Sequence, residues 1–286
     1  MQKPLFIADA ALSDVSVTRW RNGVSCEAHD KVAEEVPIAL IYNGISHAVM
    51  LATPQDLADF ALGFSLSEGI LQSKSELYDI EMVVQENGIE LQLTIATDCF
   101  AKLKEKRRNL VGRTGCGLCG AESLQDALRL NAIKNPREEI DALQANTHKA
   151  SRPMMAKTLE IALQNMQKSQ VLQQATGATH ACAWANLNGE IQFLREDVGR
   201  HNAMDKLIGA LAKTAKQENG FVLTSSRASV EMVQKVALAG YEILVAISAP
   251  TGLAVRVAQH YGVTLVGFLR QQQFVVYTHA ERIQLD

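Results

Sequence analysis

The residues best suited to carry chemistry are Cys116 and Cys119, in the segment RTGCGLCGAESL at residues 113–124. Glycines flank both thiols, so the backbone there opens and closes easily. A helix is expected directly afterwards, over residues 121–132, and a thiol beside a helix N-terminus meets the positive end of the peptide dipoles. That field lowers the thiol pKa and raises its reactivity. Lys102, Lys104, Lys106, Arg107, Arg108 and Arg113 strengthen the effect if they fold over the loop. A solvated helix face explains them equally well.

Three chemistries compete for such a pair. A structural zinc site needs four ligands, usually two such pairs, and the other cysteines, Cys26, Cys99 and Cys182, stand apart from one another. A thioredoxin-type pair follows a strand and has Trp or Pro beside it, and neither is present. A purely structural role gives no reason for two thiols in a glycine-rich segment. A mobile nucleophile that accepts a sulfur atom and passes it on explains the loop best. Cys26, Cys99 and Cys182 fall in or near strand-like stretches and are expected in the core.

A second constellation lies further along. REDVGRHNAMDK at residues 195–206 packs Arg195, Glu196, Asp197, Arg200, His201, Asp205 and Lys206 into one short run. His201 and Asp205 share a helix face by their spacing of four, and Asn202 is placed to cap the helix. An organised polar site and a surface ion-pair cluster both fit this pattern. TSSRAS at 224–229 and SAPTGLA at 248–254 are further strand-to-helix turns. Helix starts offer free N–H groups to phosphates, and open α/β sheets collect ligands at their strand ends. Three such turns point to a phosphorylated or nucleotide-bearing ligand, with Arg200, Arg227 and Arg256 as its counter-charges. Each turn alone is ordinary capping chemistry.

The elements that must hold these residues follow from periodicity. Residues 36–42 and 45–51 flank Asn43-Gly44, and 79–85 and 89–96 flank Asn87-Gly88, which predicts two hairpins. Between them Thr53-Pro54 and Asp56 open a helix with Leu57, Phe60, Ala61 and Phe64 on one side, ending near Gly69. Beyond a breaker-rich connection at 135–152, strands at 180–187, 191–195, 221–224, 243–247 and 263–268 alternate with helices at 202–216, 228–239 and 253–261. This rhythm predicts a sheet with parallel strands covered by helices, with Gly240 and Gly262 as left-handed helix ends. The fold class is therefore α/β. Expected boundaries give a smaller mixed αβ unit at 1–113, the cysteine loop and its helix at 114–134, and a ligand-binding domain at 135–286.

The chain has 286 residues, 47% of them hydrophobic, enough for one large domain or two ordinary ones. A net charge of −3 argues against a general nucleic-acid binder. Five cysteines, an odd number, do not form a disulfide framework and fit a reducing compartment. The start, MQKPLFIADAALSD, lacks a secretory pattern, and no apolar run approaches the roughly 20 residues that cross a bilayer. A cytoplasmic protein without membrane association is expected.

Taken in order, TGCGLCGAESL, REDVGRHNAMDK, TSSRAS, SAPTGLA and GFLRQQQFVVYTH resemble the FdhD family of formate dehydrogenase accessory sulfurtransferases, from the hairpin near Val36 to Tyr277. The resemblance implies a sulfur carrier that takes sulfur from a cysteine desulfurase as a persulfide on Cys116, with Cys119 as helper or second acceptor. The acceptor it implies is a molybdenum or tungsten bis(pterin guanine dinucleotide) cofactor, bound on its way to formate dehydrogenase. It assigns cofactor binding to Phe268, Leu269, Arg270, Gln271, Gln272 and Gln273. The polar turns add Arg200, His201, Ser226, Arg227, Thr251 and Gly252 as candidates. The resemblance further implies a homodimer and a cytidine-deaminase-like, three-layer α-β-α C-terminal domain. A zinc-dependent deaminase is not expected: Thr179-His180-Ala181-Cys182 lacks the glutamate of His-x-Glu, and no Pro-Cys-x-x-Cys follows. No resident catalytic metal is expected either. The rival reading is a non-catalytic chaperone that only delivers the cofactor.

Overall fold

A computed structural model describes residues 10–110, 153–214 and 219–285. The loop with Cys116 and Cys119, the helix expected at 121–132 and the boundaries expected near residues 114 and 135 lie outside these residues.

The first unit is a four-stranded sheet built as the sequence predicts. Asn43-Gly44, with φ of 44° and 81°, closes a tight turn between β3 (Val36–Tyr42) and β4 (Ile45–Ala52). A second hairpin joins β5 (Leu77–Gln85) to β6 (Gly88–Ile95). The strand order is β4-β3-β6-β5, with β3 and β6 parallel. Alternation along β3 buries Val36, Ile38, Leu40 and Tyr42 against Phe60, Ala61 and Phe64 of α1 (Leu57–Ser67) and Cys99 and Leu103 of α2 (Thr97–Leu110). Ahead of this unit runs a ribbon that the sequence reading missed, β1 (Leu12–Arg21) paired antiparallel with β2 (Val24–Ala33). Its turn is again Asn-Gly, Asn22-Gly23, with φ of 53° and 84°. Cys26 lies on this ribbon and is exposed, which corrects the expected core placement; Cys99 and Cys182 are buried.

The second unit is a six-stranded sheet in the order β13-β12-β11-β10-β8-β9. Its strands are β8 (His180–Asn186), β9 (Ile191–Asp197), β10 (Gly220–Thr224), β11 (Ile243–Ala246), β12 (Thr264–Arg270) and β13 (Gln273–Val276). Parallel pairing is confined to β10, β11 and β12; hairpins add antiparallel strands at both edges. One face packs Leu159, Ala162, Leu163 and Met166 of α3 (Ala156–Ser169) onto Ala183, Phe221, Val245 and Val266. The other face is covered by α5 (Arg200–Ala212), α6 (Val230–Leu238) and α7 (Gly252–Tyr261), through Leu207, Met232 and Val257 among others. Helices on both faces make the three-layer α-β-α arrangement that was expected. A short α4 (Val171–Thr176) leads into β8, and a small parallel pair, β7 (Met154–Met155) with β14 (Ile283–Gln284), closes the chain. Gly240 and Gly262 are left-handed, with φ of 78° and 69°, as predicted.

The units meet along α1 and α5. Asp59, Gly63 and Ser67 recur every four residues on α1, as Asp205, Gly209 and Lys213 do from α5 into its C-cap. The two stripes face each other in opposite directions: Lys213 Nζ donates to Asp59 Oδ1 at 2.6 Å, and Ser67 Oγ donates to Asp205 Oδ1 at 2.6 Å. Between these ends the backbones touch. A Cβ built at Gly63 overlaps the Asp205 carbonyl, and one built at Gly209 overlaps that of Asp59.

Candidate functional site

The strands β10, β11 and β12 end on one edge of the large sheet, and the residues predicted to bind the cofactor gather there. Thr224 ends β10 and Ser226 follows it; both are buried and their hydroxyls lie 3.0 Å apart. Arg227 is exposed beside them. Thr251, after β11, caps α7 by accepting from the N–H of Ala254 at 3.2 Å. Gly252 opens α7, and Arg256 NH1 folds back to within 3.6 Å of where a Gly252 Cβ would stand. Backbone bonds stitch these turns together: Thr251 N donates to Ala228 O at 3.1 Å, and Phe268 N to Ser248 O at 3.2 Å.

Phe268–Gln273 is the tip of the β12–β13 hairpin. Its register shifts between Gly267 and Arg270, and Phe268 and Gln272 take φ of 54° and 62°. A bulky residue in the left-handed region is costly. The bulge turns the Phe268 side chain outward, 43% exposed, while Leu269 stays buried. Arg270 donates to the carbonyls of Ile247 and Leu269, which ties the hairpin tip to the end of β11. Gln271, Gln272 and Gln273 are exposed.

The run at 195–206 divides in two. Arg200 and His201, at the start of α5, face the edge; the rest is neither a surface cluster nor an open polar site. Asp197 is fully buried and accepts from Lys206 Nζ at 2.7 Å, Thr53 N at 3.0 Å, Gly199 N at 2.8 Å and Asn202 Nδ2 at 3.0 Å. Glu196 accepts from the N–H groups of Leu172 and Gln173 and from the Thr179 hydroxyl. Arg195 pairs with Asp59 at 2.6 Å. Arg195 and Asp197 tie the two units together through Asp59 and Thr53, whereas the Glu196 carboxylate is satisfied within the second unit, as buried ions require. Asn202 does not cap the helix as predicted: its amide lies inside α5 and donates to Asp197 and to Leu51 O at 2.7 Å. Asp197 organises the helix start in its place.

His201 and Asp205 do share a face, towards α6. His201 Nε2 stands 3.6 Å from Glu231 Oε2, and Asp205 accepts from Lys235 Nζ at 2.7 Å. Burial, reinforced by Arg200, pushes the His201 imidazole down to about 4, so it is neutral near pH 7. The Arg200 Nε is buried without a partner among the described residues. An unfilled guanidinium donor beside the starts of α5 and α6 is suited to an anionic oxygen.

Sequence reasoning missed a groove on the α3 side of the same edge, of about 490 Å³, lined by Gln170, Gln173, Gln174, His180, Ser225 and Ile247 among others. The signal was present in the glutamine-rich run at 164–174, which carries no strand or helix-start motif. Among the described residues no group of three or more His, Cys, Asp or Glu is placed to hold a metal ion. Among the same residues no helix is long and apolar enough to cross a membrane.

Similarity to known proteins runs the length of this architecture. The family model described as FdhD/NarQ matches residues 33–284. The chain is 52% identical to the Sulfur carrier protein FdhD of Cupriavidus necator over 275 residues, covering 95% of this chain and 90% of that protein. Its identity to the Sulfur carrier protein FdhD of Bordetella petrii is 50% over 276 residues, covering 96% and 94%. A crystal structure of a proposed formate dehydrogenase accessory protein from Desulfotalea psychrophila superposes with a TM-score of 0.70 at 24% identity, covering 96% of this chain and 100% of that one. The last likeness supports the two-unit α/β fold; the family match and the close relatives establish that this chain is a member of the FdhD/NarQ family.

Proposed function

We propose that this chain is a sulfurtransferase that carries sulfur from a cysteine desulfurase to a metal-bound bis(pterin guanine dinucleotide), the cofactor of formate dehydrogenase. The Cys116 thiolate attacks the outer sulfur of the desulfurase persulfide. The donor S–S bond breaks, the desulfurase thiolate leaves, and Cys116 holds the new persulfide. Delivery as sulfide needs two electrons. Attack of the Cys119 thiolate on the Cys116 sulfur supplies them, leaving a Cys116–Cys119 disulfide for a cellular thiol to reduce.

The observation that carries this reading is a glycine-flanked Cys-x-x-Cys in a chain 52% identical, almost end to end, to a protein named as a sulfur carrier. The polar edge supports it from the acceptor's side. Arg200, Arg227 and Arg256 with the helix starts suit the cofactor's phosphates, and Phe268 to Gln273 with His201, Ser226, Thr251 and Gly252 surround them. The protein works in the cytoplasm as a homodimer, beside the desulfurase and the formate dehydrogenase apoprotein. Incubation with a desulfurase and cysteine is expected to add about 32 Da to the Cys116 peptide, an adduct absent from Cys116→Ala. The same substitution is expected to abolish formate dehydrogenase activity in the host. An unmodified Cys116 beside intact cofactor binding favours the delivery chaperone instead.

A further inference from the structure

The β1–β2 ribbon ends in a tip that nothing among the described residues covers. Its register sorts the side chains into two faces. On one of them Ser13, Val15, Val17 and Ala28 are half-buried, and β2 contacts α4. Past Val17 the same face carries Arg19 opposite Cys26 and Arg21 opposite Val24, all four exposed. Trp20, on the reverse face, is 72% exposed, so both faces of the tip are bare. Residues 19–26, RWRNGVSC, hold two arginines and no acid. The ion pair of Arg19 with Asp30 is exposed on both sides, at 3.7 Å, and such a pair contributes little. A two-stranded ribbon standing alone is marginal in water, and exposed Trp and Arg are residue types on which interfaces concentrate their energy.

A surface of the opposite character lies on the four-stranded sheet. Its helix side is filled by Val36, Ile38, Leu40 and Tyr42 under α1 and α2. On the other side the register sets Pro37 beside Leu51 and Ala39 beside Val49, and Leu51 and Val49 are 55% and 63% exposed. Next to this apolar half, on β6 and β5, the same side carries Glu90, Glu81 and Asp79. None of the four strands contains a Lys or Arg, so these carboxylates meet no cation on their own sheet. An apolar patch with an acidic rim complements a tip that offers two arginines and a valine. A ten-residue strand reaches about 33 Å, against about 14 Å across four strands, so a ribbon leaving one molecule can span the sheet of another.

We infer that this face receives the ribbon tip of a second copy of the chain, with Arg19 and Arg21 meeting Asp79, Glu81 and Glu90, and Val24 meeting Val49 and Leu51. A twofold axis repeats the contact, so each ribbon ties its own second unit to the first unit of the other copy. This rests on the reading that the protein works as a homodimer.

Sedimentation of the full-length chain over a range of concentrations tests it. Wild-type protein is expected to be a dimer. Arg19→Glu with Arg21→Glu, and separately Asp79→Arg with Glu81→Arg, are each expected to raise the dissociation constant of the dimer by about tenfold or more. All four side chains are exposed, so the fold is not at risk. An equal mixture of the two variants is expected to form a heterodimer of nearly wild-type affinity, because every tip then faces a sheet of opposite charge. The chain carrying all four substitutions is expected to recover in the same way. Dimers that either pair of substitutions leaves intact, or weakened variants that mixing does not rescue, overturn the exchange and leave the homodimer standing. Rescue by combination alone places the contact within one chain and overturns it too. A wild-type chain that stays monomeric removes the homodimer reading and the exchange with it.

Discussion

His201 is held as a neutral base in a place where water would favour its charge. Burial and the Arg200 guanidinium depress it, Lys235 works the same way, and Glu231 and Glu68 oppose them. Its folded value of about 4 lies below the ordinary 6.5, so between those values the unfolded chain binds the extra proton. Stability contributed by the neutral imidazole is therefore present above that window and lost as pH falls through it. Asp205, raised by burial, bends the curve the other way, equally in any His201 variant. Urea midpoints measured across the window are expected to fall less steeply for His201→Asn than for the wild type. Parallel curves would mean that His201 titrates as an exposed imidazole does.

The helix pair α1 and α5 shows how little of an element's chemistry need be apolar. Its crossing is set by Gly63 and Gly209, where each backbone lies against the other. A methyl group there has to push the helices apart, so Gly63→Ala is expected to destabilise the protein by about 1–3 kcal/mol in chemical denaturation, despite the better helix propensity of Ala. A variant as stable as the wild type would show that the helices slide freely. This contact was written in the sequence as a four-residue period of small and polar residues, Asp59, Gly63 and Ser67, but reading only hydrophobic periodicity passes over it. The hairpin at Asn43-Gly44 and the strand-helix alternation after residue 180 were legible, because turn chemistry and burial are local; the second hairpin was legible too, but its turn is Glu86-Asn87, since Gly88 already pairs with Gln85. The ribbon at Asn22-Gly23 carried the same signal, and its strands are too polar and exposed to read as core. At the edge, Ser226 and Thr251 were legible as turn residues, whereas Phe268 read as the end of a strand and entered the site only through the family resemblance. Their convergence depends on which strands are neighbours, and that is a property of the sheet and not of any one segment.

For the whole molecule, the question is whether two cores behave as one body. Between them lie Asp197 and Lys206, both fully buried, 2.7 Å apart, with Lys206 also donating to Thr53 O at 2.9 Å. Burial lowers the Lys206 pKa and the Asp197 carboxylate resists that, so the ammonium persists only through its partner. Lys206→Met leaves a buried carboxylate uncompensated and is expected to cost about 3–5 kcal/mol. Removing both charges often restores stability in an isolated pair. Here it is not expected to, since Asp197 also accepts the backbone N–H groups of Thr53 and Gly199, one from each unit. Lys206→Met with Asp197→Leu should therefore remain well below the wild type, and in the wild type tryptophan fluorescence, from Trp20 and Trp184, and far-UV circular dichroism should report a single coincident transition. Recovery in the double variant, or two separate transitions, would mean that the units fold independently and that α5, with Arg200 and His201 at its start, is positioned by the large sheet alone.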